Sequence, residues 1–167
     1  VLLVEVKSVR PTAHLRLASE QRVDEVRRML GRAYEQIDNT AALIAGGQKE
    51  FAEVPADRPV QGLIVTMEPF HIVNAPMQRP QLPATTVPIT VCSISELENM
   101  VTITDAPVGR LLLERAADPQ RSTYALREAL SGHTHARNAV LDAGWDSYPW
   151  RDAAPGQVAS EPAGTAK

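Results

Sequence analysis

Val1-Leu-Leu-Val-Glu-Val-Lys7 is the stretch on which the fold turns. Six of its residues suit a strand, and side chains alternate across a strand with a period of two. Glu5 and Lys7 therefore share one face, and Leu2, Val4 and Val6 share the other. A carboxylate and an ammonium at the end of an apolar strand lose hydration on burial, so they need a partner or a chemical task. An apolar strand with so few polar residues is expected at the centre of a sheet, buried on both faces. Residue 1 already lies inside it, which reads as the C-terminal part of a longer, N-terminally truncated protein.

Outward from this strand, Arg10 to Ser19 is a polar connection. A helical pattern then runs from Glu20 to Ala45, with Val23, Val26, Leu30, Ala33, Ile37 and Ile44 on one stripe, its one gap filled by Thr40/Ala41, and Gly46-Gly47 as the stop. Lys49–Pro59 reads as a loop. Gly62–Glu68 reads as a strand buried on both faces, and Ile89–Ser93 as a third strand. The five prolines between Pro69 and Pro88 exclude a regular helix and suggest an extended excursion with strand pieces around His71–Val73. Ser95 and Glu98 predict a capping box for a short helix through Met100. Asp105 with Pro107, Ser122 and His135 mark the starts of three more helices, the second ended by Gly132 and the third running to Trp145. Arg151–Lys167, rich in Ala, Pro, Gly, Ser and Thr, is expected to be a disordered tail. The order predicts an α/β domain over residues 1–150: a mixed sheet, a long crossover helix after the first strand and a helical C-terminal region.

The bulk numbers set bounds. The chain has 167 residues, 44% hydrophobic and 22% charged, with a formal net charge of −3. That balance suits a globular domain and argues against broad electrostatic attraction to polyanions. Cys92 is the single cysteine, so no internal disulfide forms. With no membrane-length apolar run and no recognisable signal peptide, a cytoplasmic location is expected.

Glu5-Val6-Lys7 at a strand end, the helix carrying Ala33-Tyr34-Glu35-Gln36, and the strands Gly62–Glu68 and Ile89–Ser93 follow in an order that resembles the PD-(D/E)XK, or restriction-endonuclease-like, nuclease superfamily. The likeness spans roughly the first hundred residues, and Thr104–Trp150 resembles the helical C-terminal region of some bacterial proteins. The resemblance implies a restriction-endonuclease-like fold and Mg²⁺-dependent hydrolysis of nucleic acid, DNA before RNA. Glu5 and the Val6 backbone carbonyl would be metal ligands, and Glu5, Lys7 and Gln36 the catalytic residues. That family's upstream Asp has no counterpart in the sequence, so the implied site is incomplete in this chain alone. A hard divalent ion suits such oxygen donors; a nearby ammonium suits charge developing on phosphorus.

Plainer readings stand beside these. Glu5 and Lys7 can simply pair with each other, and Gln36 can face solvent. The domain can also keep the fold as a non-catalytic nucleic-acid-binding or protein-interaction module, or as a structural part of an assembly. His133 and His135 read as a solvated loop or a cap using Thr134, with only His14 and His71 as further imidazoles. Cys92 reads as a structural thiol. Trp145, Tyr148 and Trp150 are expected to pack the chain end onto the core rather than stack on bases. Arg10, Arg16, Arg22, Arg27 and Arg28 form a basic run near the Glu-x-Lys stretch, interleaved with Glu20, Asp24 and Glu25 as on a solvated helix face.

Overall fold

A computed structural model describes residues 1–12, 22–70, 73–74, 79–124 and 126–148, the side chains of Arg22 and Arg79 excepted. The expected strand pieces at 71–72 and the tail at 151–167 lie outside these residues, as do His14, Arg16, His71 and Trp150. The chain forms two compact units, Val1–Ala136 and Arg137–Lys167.

The first unit is built on strands β1 (Leu2–Lys7), β2 (Gln61–Thr66) and β3 (Ile89–Ser93). They pair in the order β1-β2-β3, all parallel, with Leu3 opposite Gly62 and Ile64 opposite Val91. The mixed sheet expected from sequence is thus an all-parallel one among the described residues. Parallel neighbours need a crossover, and helix α1 (Arg22–Ala45) supplies it between β1 and β2. Its buried stripe is Val26, Leu30, Ala33, Tyr34, Ile37, Ala41 and Ile44, with the expected Val23 only half-buried and Tyr34 added. Gly47, at φ 65°, ends it: Gln48 N–H reaches the Leu43 carbonyl at 3.1 Å and Gly47 N–H that of Ile44 at 3.0 Å. These are the two reverse bonds of a left-handed helix terminus, where glycine carries no Cβ penalty.

The seating of α1 is set at Gly62. A Cβ there would stand 2.8 Å from both Ile37 Cγ2 and Ile89 Cγ1, so only glycine lets Ile37 settle onto the sheet. Asp38, the next residue, accepts hydrogen bonds from Thr86 N–H at 2.6 Å and Thr86 Oγ1 at 2.7 Å, tying the helix to the approach to β3. The opposite face of β2 and β3 is covered by α2 (Ile94–Met100), α3 (Val108–Ala117) and α4 (Leu126–Ala129). Leu63, Val65 and Cys92 pack there with Met100, Leu112 and Leu126. Buried Arg115 donates to the carbonyls of Ser122 at 2.9 Å and Tyr124 at 2.8 Å, fastening the segment after α3.

Two local expectations shift. The capping box forms at Ser93 and Glu96, not Ser95 and Glu98, because Ser93 ends β3 and its N–H points to the Glu96 carboxylate at 2.8 Å. His135 lies in an antiparallel bridge with Ile103, and the last helix, α5 (Ala139–Asp146), starts later, capped by Asn138. The second unit holds α5, and Arg137, just ahead of the helix, pairs with Asp142 at 3.0 Å. There Trp145 and Tyr148 are exposed and their ring centroids lie 5.7 Å apart.

The largest departure concerns β1. It lies at the edge of the described sheet, not its centre. Leu2, Val4 and Val6, expected to be buried, are 37%, 49% and 67% exposed. Helices α2 to α4 cover the face of β2 and β3 and stop short of β1. Apolar patterning reports that a residue avoids water in the finished assembly, and it does not say which strand supplies the cover.

Candidate functional site

Glu5 and Lys7 sit on the side of β1 that faces α1, one residue pair beyond Leu3, which packs into the α1 core. The Lys7 ammonium donates to Glu5 Oε1 at 2.7 Å and to Gln36 Oε1 at 2.9 Å. Two elements separated by 29 positions in the chain therefore meet at one nitrogen. Gln36 reaches it because Ile37, its neighbour, is seated over Gly62, which fixes the rotation of the helix at this turn. The three residues expected from the sequence to act together do converge.

The side chains of Lys7 and Glu5 are only 21% and 27% exposed, so the pair is partly shielded without being sealed. An ion pair in such a setting contributes about 0–1 kcal/mol to stability. An ammonium has three N–H donors, and two are used here. Among the described residues the third, together with Glu5 Oε2 and the Gln36 amide nitrogen, meets no protein hydrogen-bond partner. Beside the triad an open groove of about 350 Å³ runs between β1 and α1, lined by Leu3, Val4 and Glu5 on one side and by Gln36, Ile37, Asn39 and Thr40 on the other. Asn39 and Thr40 were not singled out in the sequence. The signal was there: Gln36, Asn39 and Thr40 follow at i, i+3 and i+4, the spacing of one helix face. The site lies toward the carboxyl end of a parallel strand, where open α/β sheets usually present their chemistry.

The β1 edge adds backbone groups. Gln61 N–H bonds the Val1 carbonyl at 2.9 Å. In a parallel ladder the alternate residues Leu2, Val4 and Val6 then turn their N–H and C=O groups away from β2. The Val6 carbonyl, the second metal ligand implied by the resemblance, is thus on the open edge next to Glu5. Among the described residues no group of three or more His, Cys, Asp or Glu side chains is placed to hold a metal ion. Glu5 and the Val6 carbonyl are oxygen donors of the type a hard divalent ion takes, and two of them are fewer than such an ion needs.

The other candidates have other tasks. Burial, helped by Glu96, pushes the Cys92 thiol up to about 12, so it is an inert core residue. His133 Nδ1 contacts Asp105 at 3.1 Å, and His135 Nδ1 contacts Thr102 Oγ1 at 2.8 Å, so the two imidazoles pin the 102–105 and 133–136 segments together. The basic run is dispersed: Arg10 approaches Glu68 at 3.6 Å, Arg27 donates to the Gln81 carbonyl at 3.1 Å and Arg28 approaches Glu25 at 3.5 Å. No helix among the described residues is long and apolar enough to cross a membrane.

No family model, curated protein or solved structure matches this chain.

Proposed function

We propose that the chain carries the Glu-x-Lys part of a Mg²⁺-dependent phosphodiesterase site of the restriction-endonuclease-like kind, acting on nucleic acid and on DNA in the first instance. The supporting observation is the meeting of Glu5, Lys7 and Gln36 at the Lys7 ammonium beside an open groove. Glu5 Oε2 and the Val6 carbonyl would hold the ion, with a second acidic ligand required from outside the described residues. When bound, Mg²⁺ polarises a phosphoryl oxygen and acidifies water. Glu5 holds the ammonium of Lys7 on the groove side of the strand. Gln36 fixes its second N–H, and the third is free to donate to a phosphoryl oxygen as negative charge builds in the transition state. Asn39 and Thr40 continue the polar wall of the groove along which a phosphodiester backbone would lie.

The test is Mg²⁺-dependent cleavage of plasmid DNA by a protein that carries this chain together with the second acidic ligand. Lys7→Ala and Glu5→Ala are expected each to lower the rate by about 100-fold or more, as removal of a group stabilising transition-state charge does, with circular dichroism unchanged. Full activity in both variants overturns the reading, as does a wild-type protein without cleavage. The second outcome leaves the non-catalytic interaction or nucleic-acid-binding module, which the exposed Leu2, Val4 and Val6 beside an open strand edge favour.

A further inference from the structure

Away from the Glu5 groove, a cavity of about 220 Å³ opens between α2, α4 and the Ile103–His135 bridge. Its floor is apolar and belongs to the core: Met100, Ile103, Leu126 and Leu130 are all buried. Its rim is polar, with Glu96, Asn99, Arg127, Ser131 and His135. A cavity of about 150 Å³ accepts a benzene ring, so this one takes a somewhat larger body.

The hydrogen bonds at the rim restrict what it can recognise. Thr102 Oγ1 donates its only proton to the Asn99 carbonyl at 2.7 Å. Its 2.8 Å contact with His135 must then be donated by His135 Nδ1–H, which makes Nε2 of the neutral ring an acceptor. Ser131 Oγ spends its proton on the Glu128 carbonyl at 2.7 Å and keeps only lone pairs. Glu96 Oε2 is taken by Ser93 N–H and Oγ–H, both at 2.8 Å, leaving Oε1. The rim thus offers acceptors at Glu96, His135 and Ser131, Glu96 among them carrying negative charge, and the Asn99 amide adds one further acceptor and a donor. Arg127 is its cationic donor, and among the described residues that guanidinium has no hydrogen-bond or ion-pair partner.

We infer that this cavity binds a small amphipathic zwitterion of the size and chemistry of a free apolar α-amino acid. The apolar side chain would rest on Met100, Ile103, Leu126 and Leu130. The ammonium would donate to Glu96 and His135, and the carboxylate would pair with Arg127. A rim with one carboxylate and one guanidinium complements a zwitterion at both ends, and a simple anion or a simple cation at one end alone.

The probes are L-phenylalanine, 3-phenylpropionate (no ammonium) and phenethylamine (no carboxylate), followed through the methyl signals of Ile103, Leu126 and Leu130 in NMR titrations of the intact chain. L-Phenylalanine is expected to shift these methyls saturably and to bind about tenfold more tightly than either analogue, the factor carried by one charge-assisted hydrogen bond. Arg127→Ala, at an exposed position, should weaken L-phenylalanine by a similar factor and leave phenethylamine unchanged. Equal binding of all three probes overturns the inference, as does insensitivity to Arg127→Ala or no saturable shift up to about 10 mM.

Discussion

The two edges of the sheet are finished differently. At β3 the outward N–H and C=O of Val91 are both answered by the amide of Asn74, at 3.0 Å and 2.8 Å, as a neighbouring strand would answer them. The next outward N–H, that of Ser93, goes to Glu96, and every residue of β3 is buried. At β1 the outward groups of Leu2, Val4 and Val6 meet no strand among the described residues, and the side chains above them are exposed. Sheet edges are normally blunted by charge, proline or a covering loop. One edge of this protein is closed by a side chain acting as a strand. Among the described residues the other is left open, with the charged pair at its end turned toward α1. The difference separates the part of the sheet that is closed on itself from the part whose outward groups the described residues do not answer.

The contrast is sharpest between register partners. Leu63→Ala, on the covered strand, is expected to lower unfolding free energy by about 2–5 kcal/mol, whereas Val4→Ala, opposite it on β1, should stay within about 0.5 kcal/mol. Denaturant titration of the two variants decides it, and a large loss at Val4 would mean that the β1 face is covered in solution. Asn74→Ala removes both partners of a buried backbone pair and should destabilise by about 2–3 kcal/mol; a neutral result would show that water replaces the amide and that this edge is not closed.

The smallest effect concerns the tie between α1 and the approach to β3. The Thr86 hydroxyl lowers the pKa of Asp38 from its ordinary value of 3.8; burial partly opposes this, and backbone N–H groups of Thr86 and Val87 add to it. A carboxylate whose pKa falls on folding stabilises the folded state above its unfolded pKa, and that contribution is lost as pH drops through the lower folded value. Thermal melts from about pH 6 to about pH 3 should therefore show a shallower acid slope for Asp38→Asn than for the wild type. Identical slopes would remove Asp38 as the cause.

Much of the covered region was legible in the sequence, and less of the open one. The α1 stripe and the β3 run Ile89–Ser93 declare themselves by period and length, because their burial is set by local pattern. The same-face placement of Glu5 and Lys7 follows from strand alternation alone, and Gln36 was reached through the family resemblance. The edge position of β1 was not legible, because a strand's neighbours are chosen by long-range pairing. The cap at Ser93 was ambiguous for a different reason: Ser93-Ile-Ser-Glu-Leu-Glu98 contains two overlapping capping boxes, and only the end of β3 selects between them. Asn74 gave no signal, since a side chain that imitates a strand is recognisable only once Val91 stands beside it.

The most direct test of the central claim, that the end of β1 is an ion-binding and not merely a paired position, is paramagnetic broadening by Mn²⁺ in place of Mg²⁺. The account predicts that the amide signals of Glu5, Val6 and Lys7 broaden selectively at substoichiometric Mn²⁺ and that Glu5→Gln abolishes the effect. Broadening confined to other acidic patches, or unchanged at β1 in Glu5→Gln, would contradict it.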